Sequence, residues 1–79
     1  MAQISLGSIE RIEKTRNHLH EKVHTTYTVF EKGGKKYVQF DTYGKDGRDN
    51  PEKVSQSIQL DDATARFLIK LLIKEFDLL

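Results

Sequence analysis

The sequence predicts an α+β domain in which a four-stranded antiparallel sheet is followed by one C-terminal helix. Three observations carry that prediction. The run HTTYTVFEKGGKKYVQFDTYG, His24 to Gly44, holds two alternating segments on either side of Gly33-Gly34. The run VSQSIQL, Val54 to Leu60, alternates again. The tail DDATARFLIKLLIKEF then leaves the period of two for the helical period.

The N-terminal part is the least regular. ISLGSIERIEKTR reads as one bent strand with Gly7 at the bend. SIERIEKTRNHLHEK fits a short helix equally, with Ser8 capping and Ile9, Ile12 and Leu19 on one face. The strand is preferred, because the sheet would otherwise have three members and poor cover.

The hairpin follows by counting outward from the two glycines. Lys32 pairs with Lys35, Glu31 with Lys36, Phe30 with Tyr37 and Val29 with Val38, and so on to His24 with Tyr43. A two-residue Gly-Gly loop suits the primed turns that match strand twist. Side chains alternate, so Val23, Thr25, Tyr27, Val29, Val38, Phe40 and Thr42 share the core face. The opposite face carries His24, Thr26, Thr28, Phe30, Tyr37, Gln39, Asp41 and Tyr43, polar but studded with rings.

The charged stretch YGKDGRDNPEK reads as an exposed loop. In the strand after it, Val54, Ile58 and Leu60 fall on one side, and Gln56 falls there with them. A polar residue among apolar ones suggests a strand end, a bulge or a partner for its amide. Asp61 or Asp62 can cap the helix. On a helical wheel Asp62, Arg66, Lys70, Lys74 and Asp77 form a narrow polar arc, with Ile73 intruding. Leu68, Ile69, Leu72 and Phe76 belong to an apolar arc wider than the ~100° stripe that one sheet covers. The surplus predicts a homodimer with Leu68, Ile69, Leu72 and Phe76 at its interface. The alternative is an N-terminal segment that wraps over the helix.

Seventy-nine residues make one domain, 1–79, near the lower limit for a chain that folds on a single core. Thirteen basic and twelve acidic residues leave a net charge of +1, so nucleic-acid binding would need local segregation of charge. The absence of cysteine excludes disulfides and thiolate metal sites and fits a cytoplasmic protein. No apolar run approaches the ~18–20 residues that span a bilayer, and no secretory apolar segment opens the chain.

Signs of catalysis are few, and no cofactor is expected. His18, His20 and His24 cluster in HLHEKVH, but their spacing crosses from a loop into the hairpin and no third ligand set follows. Asp41, Asp46, Asp49 and Glu52 lie in or beside the charged loop with no nucleophile paired to them. GGKK is a hairpin tip, not a strand-to-helix phosphate loop. The ringed face offers more, because single-stranded nucleic acid is held by rings that stack on bases and basic groups that track phosphates. The same residues also fit a cross-strand aromatic pair with ordinary solubilising lysines.

Over KKYVQFDTYGKDGRDNPEKVSQSIQLDDATARFLIKLLIKEF the chain resembles the transcriptional positive cofactor 4 family, in its small bacterial version. The similar features are a strand opening Lys-Tyr, an aromatic near its end at Tyr43, a charged loop, a strand ending Ile-x-Leu and an acid-capped apolar helix. DTYGKDGR and KVSQSIQLD also look like a sibling group of small bacterial proteins, where Tyr43, Gly44, Arg48, Ser55, Gln56 and Ser57 would be the special positions. The family resemblance implies a helix-paired homodimer whose sheets bind single-stranded DNA. It implies a non-catalytic role in transcription or another DNA transaction.

The expected site follows from the two lines together. Phe30, Tyr37 and Tyr43 would stack on bases of single-stranded DNA or RNA. Lys32, Lys35, Lys36, Lys45, Arg48 and Lys53 would contact phosphates, and Thr28 and Gln39 would hydrogen-bond. The alternative is a small protein-interaction module, an accessory subunit or inhibitor, docking through Leu68, Leu72 and Phe76 with no nucleic-acid binding.

Overall fold

The structure is a computed structural model that describes residues 1–44 and 53–79. Its elements are β1 (Ala2–Gln3), a 3-10 turn (Leu6–Ser8), β2 (Thr25–Lys32), β3 (Lys35–Tyr43), β4 (Val54–Leu60) and α1 (Asp62–Phe76). The strands form one sheet in the order β1-β4-β3-β2.

The hairpin has the register that the two glycines dictate, from Lys32 opposite Lys35 to Thr25 opposite Thr42. Gly33 and Gly34 have φ of 61° and 79°, the two positive angles of a type I′ turn. β4 runs antiparallel to β3, with Gln39 opposite Gln59 and Asp41 opposite Ser57. Between Thr42 and Tyr43 the register shifts, so that Gln56 faces Thr42 and Val54 faces Tyr43. That irregularity accounts for the misplaced Gln56, and it corrects the expectation that Val54 shares a side with Ile58 and Leu60.

The sheet is mixed, not wholly antiparallel. β1 pairs with β4 in parallel, Ala2 with Ile58 and Gln3 with Gln59, and the Ile4 N–H extends the ladder to the Gln59 carbonyl at 3.0 Å. The N-terminal expectation is corrected in the same place. Neither the long bent strand nor the helix forms; past the turn at Leu6–Ser8, residues 9–24 hold no regular element. Two paired residues leave too short a pattern for a period to announce them.

One residue, Asp61, joins β4 to α1, and it is the N-cap. Its carboxylate accepts from the Thr64 N–H at 2.9 Å. Thr64 itself has no exposed surface, and its hydroxyl oxygen lies 3.4 Å from the Ile4 carbonyl. Strand end, helix start and N-terminal segment therefore meet at one buried threonine. At the other end Asp77 takes a left-handed conformation, φ 53°, and the Leu78 N–H reaches back to the Ile73 carbonyl.

The helix does not lie across the sheet. It packs beside the 3-10 turn, and Arg11 reaches it through Glu75 at 3.3 Å. The core face is assembled as expected but stays open: Tyr27 is 70% exposed and Val29 54%. Ile69 is 57% exposed and Phe76 69%, so the N-terminal segment wraps only part of the helix. Among the described residues no apolar side chain is fully buried.

Candidate nucleic-acid interface

Alternation along β2 and β3 turns every second residue to the face opposite the apolar one, and pairing sorts these residues into rows across the sheet. The first row is Phe30 with Tyr37, their rings stacked at 24° with centroids 5.5 Å apart. The last is His24 with Tyr43, 5.1 Å apart and tilted by 36°. Six residues of strand separate Tyr37 from Tyr43, about 20 Å at the usual rise. The Tyr43 hydroxyl is tied to Thr26 Oγ1 at 3.1 Å, which fixes that ring over the neighbouring strand.

Between the ring pairs lie two polar rows. Thr28, Gln39, Gln59 and Gln3 form one by register, and Thr26, Asp41 and Ser57 the other. Gln39 Nε2 donates to Asp41 at 3.0 and 3.2 Å, and Gln59 Nε2 donates to Gln39 Oε1 at 2.7 Å. The Ser57 hydroxyl donates to Asp41 Oδ1. Of these polar residues the sequence reading offers Gln39 and Thr28 as hydrogen-bonding groups of the site, and Ser57 as a special position of the sibling group. Gln59 and Ser57 join them only through the β3–β4 register, for which no turn residue supplies a count.

The lysines divide by face. Alternation puts Lys32 and Lys35 with the rings, whereas Lys36 follows Glu31 and Val38 to the apolar side. Lys36 is thus separated from the ring pair it was expected to accompany. Lys53 is exposed just before β4. Lys45 and Arg48 lie outside the described residues, as do Asp46, Asp49 and Glu52.

The Asp61 carboxyl is held below its ordinary value of 3.8, first by the Thr64 backbone N–H, then by the Thr64 hydroxyl, with a smaller pull from Lys35. Among the described residues no three His, Asp or Glu side chains gather as metal ligands would. No helix among them is long and apolar enough to cross a membrane.

The expected dimer residues sit on one helix but differ in exposure. Leu68 is half-buried, while Ile69, Leu72 and Phe76 are exposed. Beside the helix start an open notch of about 760 Å³ runs between α1 and the sheet, with Val38, Phe40, Leu60 and Ala65 among its walls. The fold therefore presents two unlike surfaces, a ringed polar face and an apolar face continued by the helix. Comparison with family models, with curated proteins and with solved structures found no match to the chain.

Proposed function

We propose that the chain binds single-stranded nucleic acid on the ringed face of its sheet, without catalysis, as a cytoplasmic homodimer. The observation that carries this reading is the arrangement of Phe30–Tyr37 and His24–Tyr43 at two ends of one polar face, with Lys32 and Lys35 beside the first pair. Rings are sequence-tolerant platforms because every base has a π-face, and lysines at one end give the backbone a place to run. A sheet face admits single strands more readily than a duplex, whose bases are already stacked on each other.

The homodimer is supported by the open apolar face and by Ile69, Leu72 and Phe76 beside it. A second copy would cover apolar surface and leave the ringed faces outward on both protomers.

The test is fluorescence anisotropy of labelled single-stranded DNA and RNA oligomers over a salt series, with duplex DNA as control. Single strands should bind more tightly than duplex. Two lysines on the face predict a log–log salt slope of about −1.4 per protomer, steeper if Lys53 takes part. Tyr37→Ala should weaken binding by about 1–3 kcal/mol. No binding at low salt would return the rings to a structural role, and an unaffected Tyr37→Ala would remove stacking from the reading.

A further inference from the structure

The backbone of β2 is satisfied on one side only. The Tyr43 N–H donates to the His24 carbonyl at 3.0 Å, and bonded pairs recur at every second residue of an antiparallel ladder. Thr26, Thr28, Phe30 and Lys32 therefore bond to β3. The N–H and C=O groups of Thr25, Tyr27, Val29 and Glu31 point away from it. β2 is the last strand of the sheet, and among the described residues nothing bonds to those outward groups. All four of these residues are exposed.

A free edge is commonly blunted by shortness, a bulge, proline or charge. The other edge of this sheet is short, since β1 has two residues. β2 has eight, keeps an unbroken register with β3, contains no proline and carries charge only at Glu31 and Lys32. What fits such an edge is an extended strand, and the side chains identify it. Set antiparallel against a second copy about Thr28, β2 brings Tyr27 opposite the second copy's Val29, Thr26 opposite its Phe30 and Thr25 opposite its Glu31. Thr28 meets its own counterpart. Tyr27–Val29 and Phe30–Thr26 each join a ring to a β-branched side chain, threonine meets threonine, and no like charges are opposed within the strand. The same register sets outward groups against outward groups, Tyr27 with Val29 and Thr25 with Glu31. An in-register parallel pairing would instead bring the two Glu31 carboxylates together.

We propose that the free edge of β2 pairs antiparallel with β2 of a second copy, joining two four-stranded sheets into one continuous sheet. The two-fold axis stands normal to the sheet, so the two ringed faces lie on the same side and meet across the seam. This contact is separate from the homodimer of apolar face and helix, and it requires no nucleic acid. Hydrogen bonds return little net against the cost of association, so the edges close well above micromolar concentration.

Amide exchange followed by NMR at about 50 µM and about 1 mM reads the edge residue by residue. Thr26, Thr28 and Phe30, bonded to β3, should be slow at both concentrations. Tyr27 and Val29 should exchange about threefold or more slowly at the higher concentration. The mass by sedimentation velocity should double over the same range, whatever the assembly at the lower concentration. Thr25→Pro combined with Glu31→Pro removes outward donors without touching a bond to β3, where an edge strand tolerates proline. That variant should keep the lower mass and the fast Tyr27 and Val29 amides. Fast exchange at Tyr27 and Val29 at both concentrations in the wild type would overturn the proposal, and this reading needs no variant that folds. Slow exchange retained by the double variant would overturn it too, because something other than a paired strand would then cover the edge. So would a doubled mass with those two amides still fast, since the copies would then meet elsewhere.

Discussion

Asp61 and Thr64 show how much one junction decides. A single residue separates β4 from α1, so the cap that satisfies the helix also fixes where the helix leaves the sheet. Thr64 N–H and hydroxyl favour the ionised Asp61 carboxylate, as does Lys35, so its folded pKa lies below 3.8. A depressed carboxyl contributes stability above its unfolded value and loses it as pH falls through the folded one. Asp61→Ala should therefore lower the thermal midpoint at pH 7. The gap from wild type should narrow as pH falls below 3.8 and through the lowered folded pKa, where the wild type too loses its ionised cap. Melts followed by circular dichroism at pH 7 and near pH 2.5 check this. A gap that stays constant over that range would show that Asp61 matters through something other than its charge.

The hairpin is the element most fully specified by local sequence. Gly33 and Gly34 both require positive φ, and a Cβ at either would meet nothing within 4 Å, so any cost there belongs to the backbone alone. Gly34→Ala should destabilise by about 1–2 kcal/mol in urea unfolding. Gly33→Asn, which builds the favoured Asn-Gly pair, should be neutral or mildly stabilising. Equal losses in both would argue against the I′ turn. Because this turn is local, counting from it yields the whole β2–β3 register and both ring pairs. The β3–β4 pairing spans a long connection and contains a register shift, for which a polar Gln56 on an apolar side is the only trace in the sequence. The polar ladder depends on that pairing, so Gln59 and Ser57 were not legible as partners of Gln39 and Asp41. The parallel Ala2–Gln3 strand was hidden for a related reason: it is chosen by a distant edge of β4 and not by its own residues.

At the scale of the whole molecule, the single chain is too open for its mass. It exposes 7484 Å², against about 4,900 Å² for a compact monomer of 9.2 kDa. Its radius of gyration is 15.0 Å, where about 12 Å is usual for this length. The excess area, about 2,500 Å² per chain, doubles to the upper range of permanent homodimer interfaces. Tyr27, Val29, Phe40 and Ile58 on the sheet and Ile69, Leu72 and Phe76 on the helix supply its apolar part. The homodimer proposed above would draw on both, since each chain offers a sheet face to be covered and a helix to cover it, as a two-fold contact requires. Sedimentation velocity at micromolar concentration should give twice 9.2 kDa. Val29→Lys and Ile69→Lys should each raise the dissociation constant about tenfold or more, because each replaces a desolvated aliphatic with a charge. Thr28→Lys, on the ringed face, should leave assembly unchanged. A folded wild-type monomer at these concentrations would defeat the dimer and assign the apolar surface to a different protein. If Thr28→Lys dissociated the dimer while Val29→Lys did not, the ringed face would be the interface, and the two faces of the sheet would have to exchange roles.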